Sequence, residues 1–575
     1  MKRGPVRPIG KAVPGPLDAR SLLAQAAAAE RAGRAAEAEE CCRRAHALTP
    51  DAFSTNHALG TALLSREDAA AALPFLARAV ALDPGHAVAR LNLGAACRRL
   101  ALYDQAIGET RRARILAPNL AETHFNLGAT LDERRIAGAD RAEHYEAESA
   151  YRVALALKPG YVKALYNLAQ SLIGRSESAA ALGPIERACA IDPALGVLHS
   201  ARATALRLQE RMDDAAAAYR RAVMLDPSHA PTLFNFGNLH LAVANPAGAA
   251  DWYGLALALR PDDPEYRWNH ALALLSAGQY AQGWRAYEWR WRWPGFSEPS
   301  RSWAAPAWEG TGLGKRTILL HAEQGLGDTI QFIRYAPQVR RRCGRVVLQC
   351  QPELIRLLQG YPGIDALVRN GEALPAHDAH APLLSLPRIF HTELETIPPP
   401  LASAAARPAF DLPLSGKALR IGIAWAGNPK HGKDRQRSVE PGRFAALAAL
   451  PGIQLYSLQV GPRAPELAAI PGRDAIVDLA PRLTDFADAA AAIDALDLVI
   501  AVDTAIAHLA GTLGRETWIL LSYAPDWRWL TQRDDTPWYP SVRLFRQRAP
   551  GDWDDVFARV AAALTARMAE RAQTG

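Results

Sequence analysis

The chain lacks several features that would place it in particular classes of protein. Among its 575 residues are six cysteines, which are too few to stabilise a chain of this length through disulfide bonds. They show no CxxC or Cys/His ligand spacing, and the sequence therefore predicts reduced thiols. No run of about 18 uncharged apolar residues is present. The charged N-terminus is followed by prolines rather than by an apolar stretch. The sequence therefore predicts neither a transmembrane segment nor a secretory signal, and it favours a cytoplasmic protein.

The chain also has only a small excess of one sign of charge over the other. The 66 basic and 59 acidic residues leave a net charge of +7, which argues against a nucleic acid partner because such a partner needs a concentrated basic face. The hydrophobic fraction of 49% and the charged fraction of 22% are ordinary for a globular protein and exclude wholesale disorder. At about 100–200 residues per domain, the length predicts three or four core-forming units.

The first half of the chain is repetitive. Prolines recur every 34 residues, apart from one step of 41, and most close a tail such as Ala-Leu-Asp-Pro; they are Pro50, Pro84, Pro118, Pro159, Pro193, Pro227 and Pro261. Small residues recur at fixed distances before each proline, where two helices must approach closely. The pattern resembles the tetratricopeptide (TPR) repeat, two antiparallel helices per unit. It predicts an α-solenoid of about eight units over 18–294, after a flexible N-terminus over 1–17.

The last unit is rich in tryptophan. Trp284, Trp289, Trp291 and Trp293 lie at its end. Such an edge predicts that the last repeat packs on an apolar surface rather than ending in solvent.

An asparagine recurs in the first helix of five units. An asparagine side chain has both a donor and an acceptor, so a row of them can bind an extended polypeptide backbone without reading its sequence. The alternative is that they stabilise the interfaces between repeats. The five residues are Asn92, Asn126, Asn167, Asn235 and Asn269, and they predict a polypeptide ligand in the groove of the array.

The second half changes to alternating strands and helices. A linker rich in Gly, Pro and Ser over 295–314 precedes it. An N-terminal Rossmann-like lobe is predicted over 315–412, with strands at Thr317–His321 and Arg345–Gln349 and a helical stretch to about Arg342. A C-terminal lobe is predicted over 413–575, with strands at Leu419–Trp425, Gln454–Gln459, Asp497–Val502 and Thr517–Leu521. Two such lobes predict a ligand cleft between them.

A glycine turn in the first of these lobes places an acid at the start of a helix. The run Gly325-Leu326-Gly327-Asp328 is only part of a dinucleotide fingerprint, because Ile330 takes the third glycine position. Asp328 can cap the helix. If the turn faces the cleft, the same carboxylate can accept a proton from a hydroxyl group.

The second lobe supplies groups that suit a phosphate. A buried strand delivers Asp503 and Thr504 to a helix start, where backbone N–H groups favour an anion, and His508 lies one turn later as a ligand contact or as a packing residue. The loop over 428–438 includes Lys433 and Arg437 and follows the end of another strand. It predicts a clamp for a diphosphate, with a solvated charge run as the alternative.

Together these segments resemble the heptosyltransferase-type glycosyltransferases of family 9, over roughly residues 315–565. The resemblance implies the GT-B fold, two Rossmann-like lobes, and an inverting, metal-independent transfer from a nucleotide-diphosphate sugar with no other cofactor. Asp328 would be the general base, and Gln459, at the end of a strand, is predicted to face the nucleoside. The groups expected at the donor diphosphate are Lys433, Arg437, Asp503, Thr504 and His508. Ala505 stands where the family has glycine, and Arg437 where it has lysine.

The order of repeats and transferase lobes also resembles that of protein O-GlcNAc transferases, which implies a polypeptide acceptor. Two alternatives remain open from the sequence. One is a transferase acting on a glycan or lipopolysaccharide-type acceptor, with the repeats as an assembly module. The other is a non-catalytic repeat scaffold with a degenerate transferase domain.

Overall fold

The structure, a computed structural model, describes residues 18–136, 142–296, 303–401, 409–413, 419–430, 432, 434–470 and 472–574. The predicted N-terminal segment over 1–17 lies outside them. The chain divides into two compact units, residues 1–227 and 228–575. No helix in the described ranges is long and apolar enough to cross a membrane.

The first unit consists of antiparallel helix pairs. Its described helices are α1 (Ala19–Arg31), α2 (Ala35–Leu48), α3 (Phe53–Ser65), α4 (Ala69–Leu82), α5 (Ala87–Arg99), α6 (Tyr103–Leu116), α7 (Ala121–Ile136), α8 (Ala142–Leu157), α9 (Val162–Gly174), α10 (Ser178–Ile191), α11 (Gly196–Leu208) and α12 (Met212–Leu225). The 34-residue period therefore corresponds to one helix pair, and the predicted TPR fold is confirmed. The single 41-residue step falls on α7 and α8, which have 16 residues each.

Small residues let the paired helices approach. A Cβ at Gly94 of α5 would lie 2.7 Å from the Thr110 Oγ1 of α6. At Gly128 of α7 it would lie 2.7 Å from the Tyr151 ring of α8. Contacts this close exclude a side chain, which explains why small residues recur at this position of the repeat.

The second unit begins with four more helices and includes both lobes. They are α13 (Ala230–Ala242), α14 (Pro246–Leu259), α15 (Pro264–Ser276) and α16 (Tyr280–Tyr287), followed by a 3₁₀ helix over Glu288–Arg292. Trp284 is buried and meets Trp527 edge to face at 5.2 Å, and the Trp538 indole N–H donates to the Tyr280 hydroxyl at 3.0 Å. The prediction that the tryptophan-rich end packs on an apolar surface is confirmed for Trp284, whereas Trp291 is 39% exposed.

The first lobe is a parallel sheet of order β3-β2-β1-β4. Its elements are β1 (Thr317–His321), α17 (Leu326–Phe332), α18 (Ala336–Arg340), β2 (Arg345–Cys350), α19 (Ile355–Leu358), β3 (Ala366–Arg369), β4 (Ala379–Pro382) and α20 (Leu386–Ile389). The helical stretch predicted as far as Arg342 is broken by a 3₁₀ turn over Ile333–Tyr335, and Pro337 lies in the first turn of α18, where proline is tolerated.

The second lobe is a parallel sheet of order β10-β9-β8-β5-β6-β7. Its elements are β5 (Leu419–Ala424), α21 (Asp434–Arg437), α22 (Gly442–Ala448), β6 (Ile453–Ser457), β7 (Ile476–Asp478), α23 (Phe486–Asp494), β8 (Leu498–Val502), α24 (Ala505–Thr512), β9 (Thr517–Leu521), β10 (Val542–Arg546) and α25 (Trp553–Thr574). Two parallel sheets with helices between their strands are the arrangement expected of GT-B lobes.

Part of the predicted linker is packed against the first lobe. The Trp308 backbone N–H donates to the His380 carbonyl of β4 at 2.8 Å, and Trp308 and Leu313 are buried. The composition of 295–314 is that of a linker, but its aromatic residue gives it apolar surface to bury.

Candidate active site

The glycine turn after β1 holds Asp328 at the start of α17. Gly325 is the N-cap, and its backbone N–H donates to the Asp328 Oδ2 at 2.8 Å. The other carboxylate oxygen, Oδ1, accepts from the guanidinium of Arg528 in an ion pair. Asp328 is thus both a helix cap and part of a contact with the second lobe.

Arg528 is a site residue that sequence analysis did not identify. It lies in a 3₁₀ turn over Trp527–Trp529 and is buried. Besides Asp328, its guanidinium donates to the Gln331 Oε1 at 2.6 Å and to Asp526 at 2.7 Å. The signal in the sequence is an arginine between two tryptophans, Trp527 and Trp529. Tryptophans on both sides indicate that the guanidinium is buried, and a buried guanidinium needs acidic partners.

The second lobe presents a helix start of the expected kind. All residues of β8 are buried, and α24 begins directly after Thr504, whose side chain caps no backbone group. Thr504 is 8% exposed, and its hydroxyl has no hydrogen-bond partner in the described part of the chain. A buried unpaired hydroxyl costs free energy unless a ligand satisfies it, and the first N–H groups of a helix are also donors.

The starts of α17 and α24 lie against each other. A Cβ at Gly327 would be 2.8 Å from the His508 Cδ2 and 3.5 Å from the Ala505 Cα. Only glycine fits at this contact. The acid at the start of α17 and the donors at the start of α24 are therefore brought together across the two lobes.

The pKa values of His508 and Asp503 are both shifted from their ordinary values. Burial, together with the nearby charges of Arg528, Arg334 and Arg437, lowers the pKa of His508 to about 3, so the imidazole is neutral near pH 7. Burial and the nearby Asp526 raise the pKa of Asp503 to about 6, although Arg437 and Arg528 act in the opposite direction.

These two side chains face each other without a hydrogen bond. The His508 Nε2 lies 3.8 Å from the Asp503 Oδ1, and the His508 Nδ1 lies 2.9 Å from the Tyr539 hydroxyl. Tyr539 thus fixes the orientation of the imidazole.

Arg437 closes the loop that follows β5. A Cβ at Gly427 would overlap the Arg437 guanidinium in its present position, and the Arg437 Nε lies 3.4 Å from the Asp434 Oδ1. The charge of Arg437 also lowers the pKa of both Asp503 and His508, so this arginine lies near the start of α24. Lys433, the other predicted diphosphate ligand of this loop, lies outside the described residues.

Gln459 has a structural role in the same lobe. Its Oε1 accepts from the backbone N–H groups of Trp425, at 3.1 Å, and of Ala426, at 3.0 Å. Its amide nitrogen donates to the Val460 carbonyl at 3.2 Å. The side chain thus braces the loop after β5, and its contact with a nucleoside stays a prediction.

The five asparagines lie on the first helices of their pairs. Asn92, Asn126 and Asn167 lie on α5, α7 and α9 of the first unit, and Asn235 and Asn269 lie on α13 and α15 of the second. All five are half-buried.

In four of the five asparagines, the side-chain amide nitrogen donates a hydrogen bond to another group of the chain. Asn126 and Asn269 each donate to the carbonyl four residues earlier, at 2.9 Å, and Asn92 donates to the Thr61 hydroxyl at 3.0 Å. Asn167 reaches the Tyr151 hydroxyl at 3.4 Å. The Oδ1 atoms of these four accept no hydrogen bond from any residue that the structure describes.

The described ranges contain no group of three or more His, Cys, Asp or Glu side chains placed to hold a metal ion. The candidate site is instead a set of paired charges, a helix start and an arginine at the junction of two parallel-sheet lobes. This geometry, after an array of helix pairs, defines a repeat protein with a two-lobed α/β module.

Comparison with known proteins matches part of the second lobe to a family model. Residues 463–544, which include Asp503, Thr504, His508 and Arg528, match Glycosyltransferase family 9 (heptosyltransferase). The chain therefore carries a glycosyltransferase family 9 domain of the GT-B type, as the sequence resemblance implied, and the matched segment lies within the second lobe.

The chain is similar to Protein FlbA of Caulobacter vibrioides, with 27% identity over 456 residues that cover 72% of this chain and 74% of that protein. Among solved structures, a tetratricopeptide repeat protein from Parabacteroides merdae matches at 16% identity and a TM-score of 0.37, over 44% of this chain and 98% of that one. The APC/C hetero-tetramer Cut9-Hcn1 matches at 17% identity and a TM-score of 0.38, over 43% of this chain and 48% of that one. At these TM-scores, the assignment of the repeats depends on the helix pairs and the 34-residue period of this chain.

Proposed function

We propose that the protein is an inverting glycosyltransferase that moves a sugar from a nucleotide-diphosphate donor to an acceptor hydroxyl. The observation that supports this most directly is the contact between the starts of α17 and α24. It puts Asp328 of one lobe beside the Thr504 helix start of the other. An acid and an anion site on facing lobes are what a displacement at the anomeric carbon requires.

The donor diphosphate binds at the start of α24. The unpaired Thr504 hydroxyl and the first N–H groups of the helix donate to phosphate oxygens. Arg437 supplies a fixed positive charge that stabilises the departing diphosphate. With these groups in place the transfer is metal-independent.

Asp328 acts as the general base. It accepts the proton of the acceptor hydroxyl while the acceptor oxygen forms a bond to the anomeric carbon. The bond from that carbon to the phosphate oxygen breaks, and the diphosphate leaves with the bonding electrons from the opposite face, which inverts the centre. Arg528 acts as a positioning residue, because its ion pair with Asp328 holds the carboxylate in place.

A donor screen tests this proposal. Wild-type protein is incubated with a panel of nucleotide-diphosphate sugars in the presence of EDTA, and the release of nucleoside diphosphate is measured. We expect turnover of at least one donor and a loss of about 10²–10⁴-fold in Asp328→Asn. Asp535→Asn, an exposed aspartate in a surface turn, is the matched control. Absence of both turnover and a donor-induced shift in melting temperature would contradict the proposal.

The acceptor is a polypeptide that lies along the asparagines of the first unit, Asn92, Asn126 and Asn167. The support is chemical: Oδ1 atoms that accept no bond within the described chain recur on α5, α7 and α9, where they can accept from the backbone N–H groups of an extended ligand. The Asn235 Oδ1 of α13 instead accepts from the Asn238 amide at 3.4 Å. Replacing all five asparagines by alanine should leave donor hydrolysis unchanged and lower transfer of label to protein. Label recovered only in lipid or free glycan would favour the alternative acceptor.

A further inference from the structure

A cavity whose lining includes neither Asp328 nor Thr504 lies beside residues 288–296, which end the repeat array. It has a volume of about 370 Å³ and is also lined by side chains at the ends of β1 and β4. The volume lies within the range of about 300–1,000 Å³ that is typical of small-molecule sites. The chemistry of the lining therefore decides which ligand fits.

Aromatic rings form much of the wall. The Trp and Phe residues that line it are Trp291, Trp293, Phe296, Trp303 and Trp308. Trp303 stacks on His321 at 4.5 Å and on His380 at 4.7 Å. Trp291 meets Phe296 edge to face at 5.1 Å and is 39% exposed. A wall of this kind attracts a cation, because the face of an indole or phenyl ring carries partial negative charge.

The carboxylates around the cavity outnumber the guanidinium groups that balance them. Glu288, Glu309 and Glu323 line it together with Arg388. Arg290, which is buried and does not line the cavity, is shared between Glu323 and Glu288 at 2.9 Å each. Arg388 lies 2.7 Å from Glu309 and 3.9 Å from Glu288. Three carboxylates thus share two guanidinium groups, which leaves negative charge in excess when all three are ionised.

Glu323 is the buried member of this set. Burial raises its pKa to about 7, although Arg290 acts in the opposite direction. A cation in the cavity favours the ionised form of this carboxylate, so the two stabilise each other. Burial also lowers the pKa of His380, so this imidazole adds no positive charge that would oppose a cation above neutral pH.

The carboxylate oxygens are already used as hydrogen-bond acceptors. Each of the six accepts from a guanidinium or from a hydroxyl, as the Glu288 Oε2 does from Ser385 at 3.0 Å. A metal ion, or a head group with several N–H donors, would have to compete with these bonds. A methylated ammonium carries positive charge but donates few hydrogen bonds or none, and aromatic rings are its usual partners.

We propose that the cavity beside residues 288–296 binds a methylated ammonium group, which belongs either to a free small molecule or to a modified lysine of a polypeptide. The aromatic wall supplies cation–π contacts, and the excess of carboxylates supplies the opposite charge. Neither Asp328 nor the start of α24 takes part, so the site does not depend on the proposed transfer reaction.

Calorimetric titration of the full chain at about pH 8, where Glu323 is ionised, tests the proposal. The probes are tetramethylammonium, choline and the N-acetyl amide of trimethyl-lysine. Two matched comparators isolate the head group. The alcohol in which carbon replaces the nitrogen of choline has the same shape without the charge, and the N-acetyl amide of unmodified lysine has the charge without the methyl groups.

We expect choline or trimethyl-lysine to bind roughly fivefold or more tightly than its comparator, and we expect an excess of UDP to leave this binding unchanged. Tighter binding of trimethyl-lysine than of choline assigns the group to a polypeptide. Equal or weaker binding of trimethyl-lysine assigns it to a free small molecule.

Two variants locate the binding. Trp291→Ala removes an exposed part of the aromatic wall and should weaken binding about fivefold or more. Glu309→Gln removes one negative charge at the exposed side and should weaken it about twofold or more. The matched controls are Trp289→Ala and Glu372→Gln, because Trp289 contacts arginines outside the cavity and Glu372 is an exposed acid elsewhere in the first lobe. Melting temperatures check that each variant is folded.

Several results would overturn the proposal. These are no binding of any methylated probe, equal binding of both methylated probes and their comparators, or binding unchanged in both Trp291→Ala and Glu309→Gln. A loss in Trp289→Ala as large as that in Trp291→Ala would also reject the site. Displacement of the probe by UDP would assign it to the donor site and would equally reject a separate one.

Discussion

Asp328 at the start of α17 and Arg528 in the turn after β9 form an ion pair that joins the two lobes. The guanidinium is shared among groups from both sides, because Gln331 belongs to the same helix as Asp328 and Asp526 belongs to the same turn as Arg528. The pair is therefore both a contact between lobes and the immediate environment of the proposed base.

Replacing Arg528 by lysine should separate positioning from donor binding. A lysine ammonium cannot reproduce the forked contacts to Asp328, Asp526 and Gln331 at once. We expect kcat to fall about tenfold or more while the donor KM stays within about twofold, as measured by nucleoside diphosphate release. Arg533→Lys, which alters a more exposed pair with Asp535, should change neither constant. Equal kcat values in wild type and Arg528→Lys would show that the pair does not position Asp328.

Removing Arg437 should weaken the donor site. A charge-assisted hydrogen bond contributes about 1.5–3 kcal/mol, so Arg437→Ala should raise the donor KM or Kd by roughly 10–100-fold. Arg437→Lys should recover part of the loss because it keeps the charge. Arg435→Ala, an exposed neighbour in the same loop, is the control for the charge of the loop as a whole. Identical donor binding in the two alanine variants would argue against a diphosphate clamp.

The stability of the second unit should respond to pH through two opposing groups. The pKa of His508 is lowered to about 3 in the fold, so its contribution is complete above about pH 6.5, the unfolded value, and is lost as pH falls toward 3. The pKa of Asp503 is raised to about 6, so its contribution is complete below the unfolded value of about 3.9 and is lost as pH rises through 6.

Single substitutions should separate the pH dependence of stability that each of the two groups contributes. Between pH 7 and pH 5 the free energy of unfolding of Asp503→Asn should fall by about 1 kcal/mol more than that of wild type, because the variant lacks the stabilisation that Asp503 gains on protonation. Over the same range the free energy of unfolding of His508→Gln should fall by about 2 kcal/mol less than that of wild type, because the variant has no imidazole that must stay neutral in the fold. Urea unfolding followed by tryptophan fluorescence measures both. Parallel pH profiles in the three proteins would mean that neither group is perturbed as described.

The elements that sequence analysis predicted accurately are those with continuous apolar runs or strict repetition. β1 and β9 match their predicted bounds, and β8 differs by one residue because Asp497 precedes the strand. β3, β4, β7 and β10 were missed. Three of them have only three or four residues, and Ala379–Pro382 carries a histidine and a proline, so no local pattern marks it as a strand.

The candidate site was predictable where its residues stand at the ends of strands and the starts of helices. Asp328 and Thr504 follow that rule. Arg528 and the cavity beside Trp303 do not, because both arise from contacts between segments far apart in the sequence, such as the 200 residues between Arg528 and Asp328. Gln459 was recognised as a strand-end residue, but its bonds to Trp425 and Ala426 depend on how a neighbouring loop folds.

The close approach of paired helices should make one glycine of the repeats irreplaceable and leave its neighbour replaceable. A Cβ at Gly237 of α13 would lie 2.5 Å from the Tyr253 Cε1, and that ring is fully buried and held by a 2.6 Å hydrogen bond from its hydroxyl to the Asn238 Oδ1. Gly254 of α14 has nothing within 4 Å of its Cβ position. Gly237→Ala should therefore lower the free energy of unfolding by about 1–3 kcal/mol through overpacking. Gly254→Ala should raise it by about 0.5–1 kcal/mol, because alanine loses less backbone entropy in a helix. Urea unfolding of the full chain, followed by tryptophan fluorescence, compares the two, and equal shifts would mean that α13 and α14 can separate to admit a methyl group.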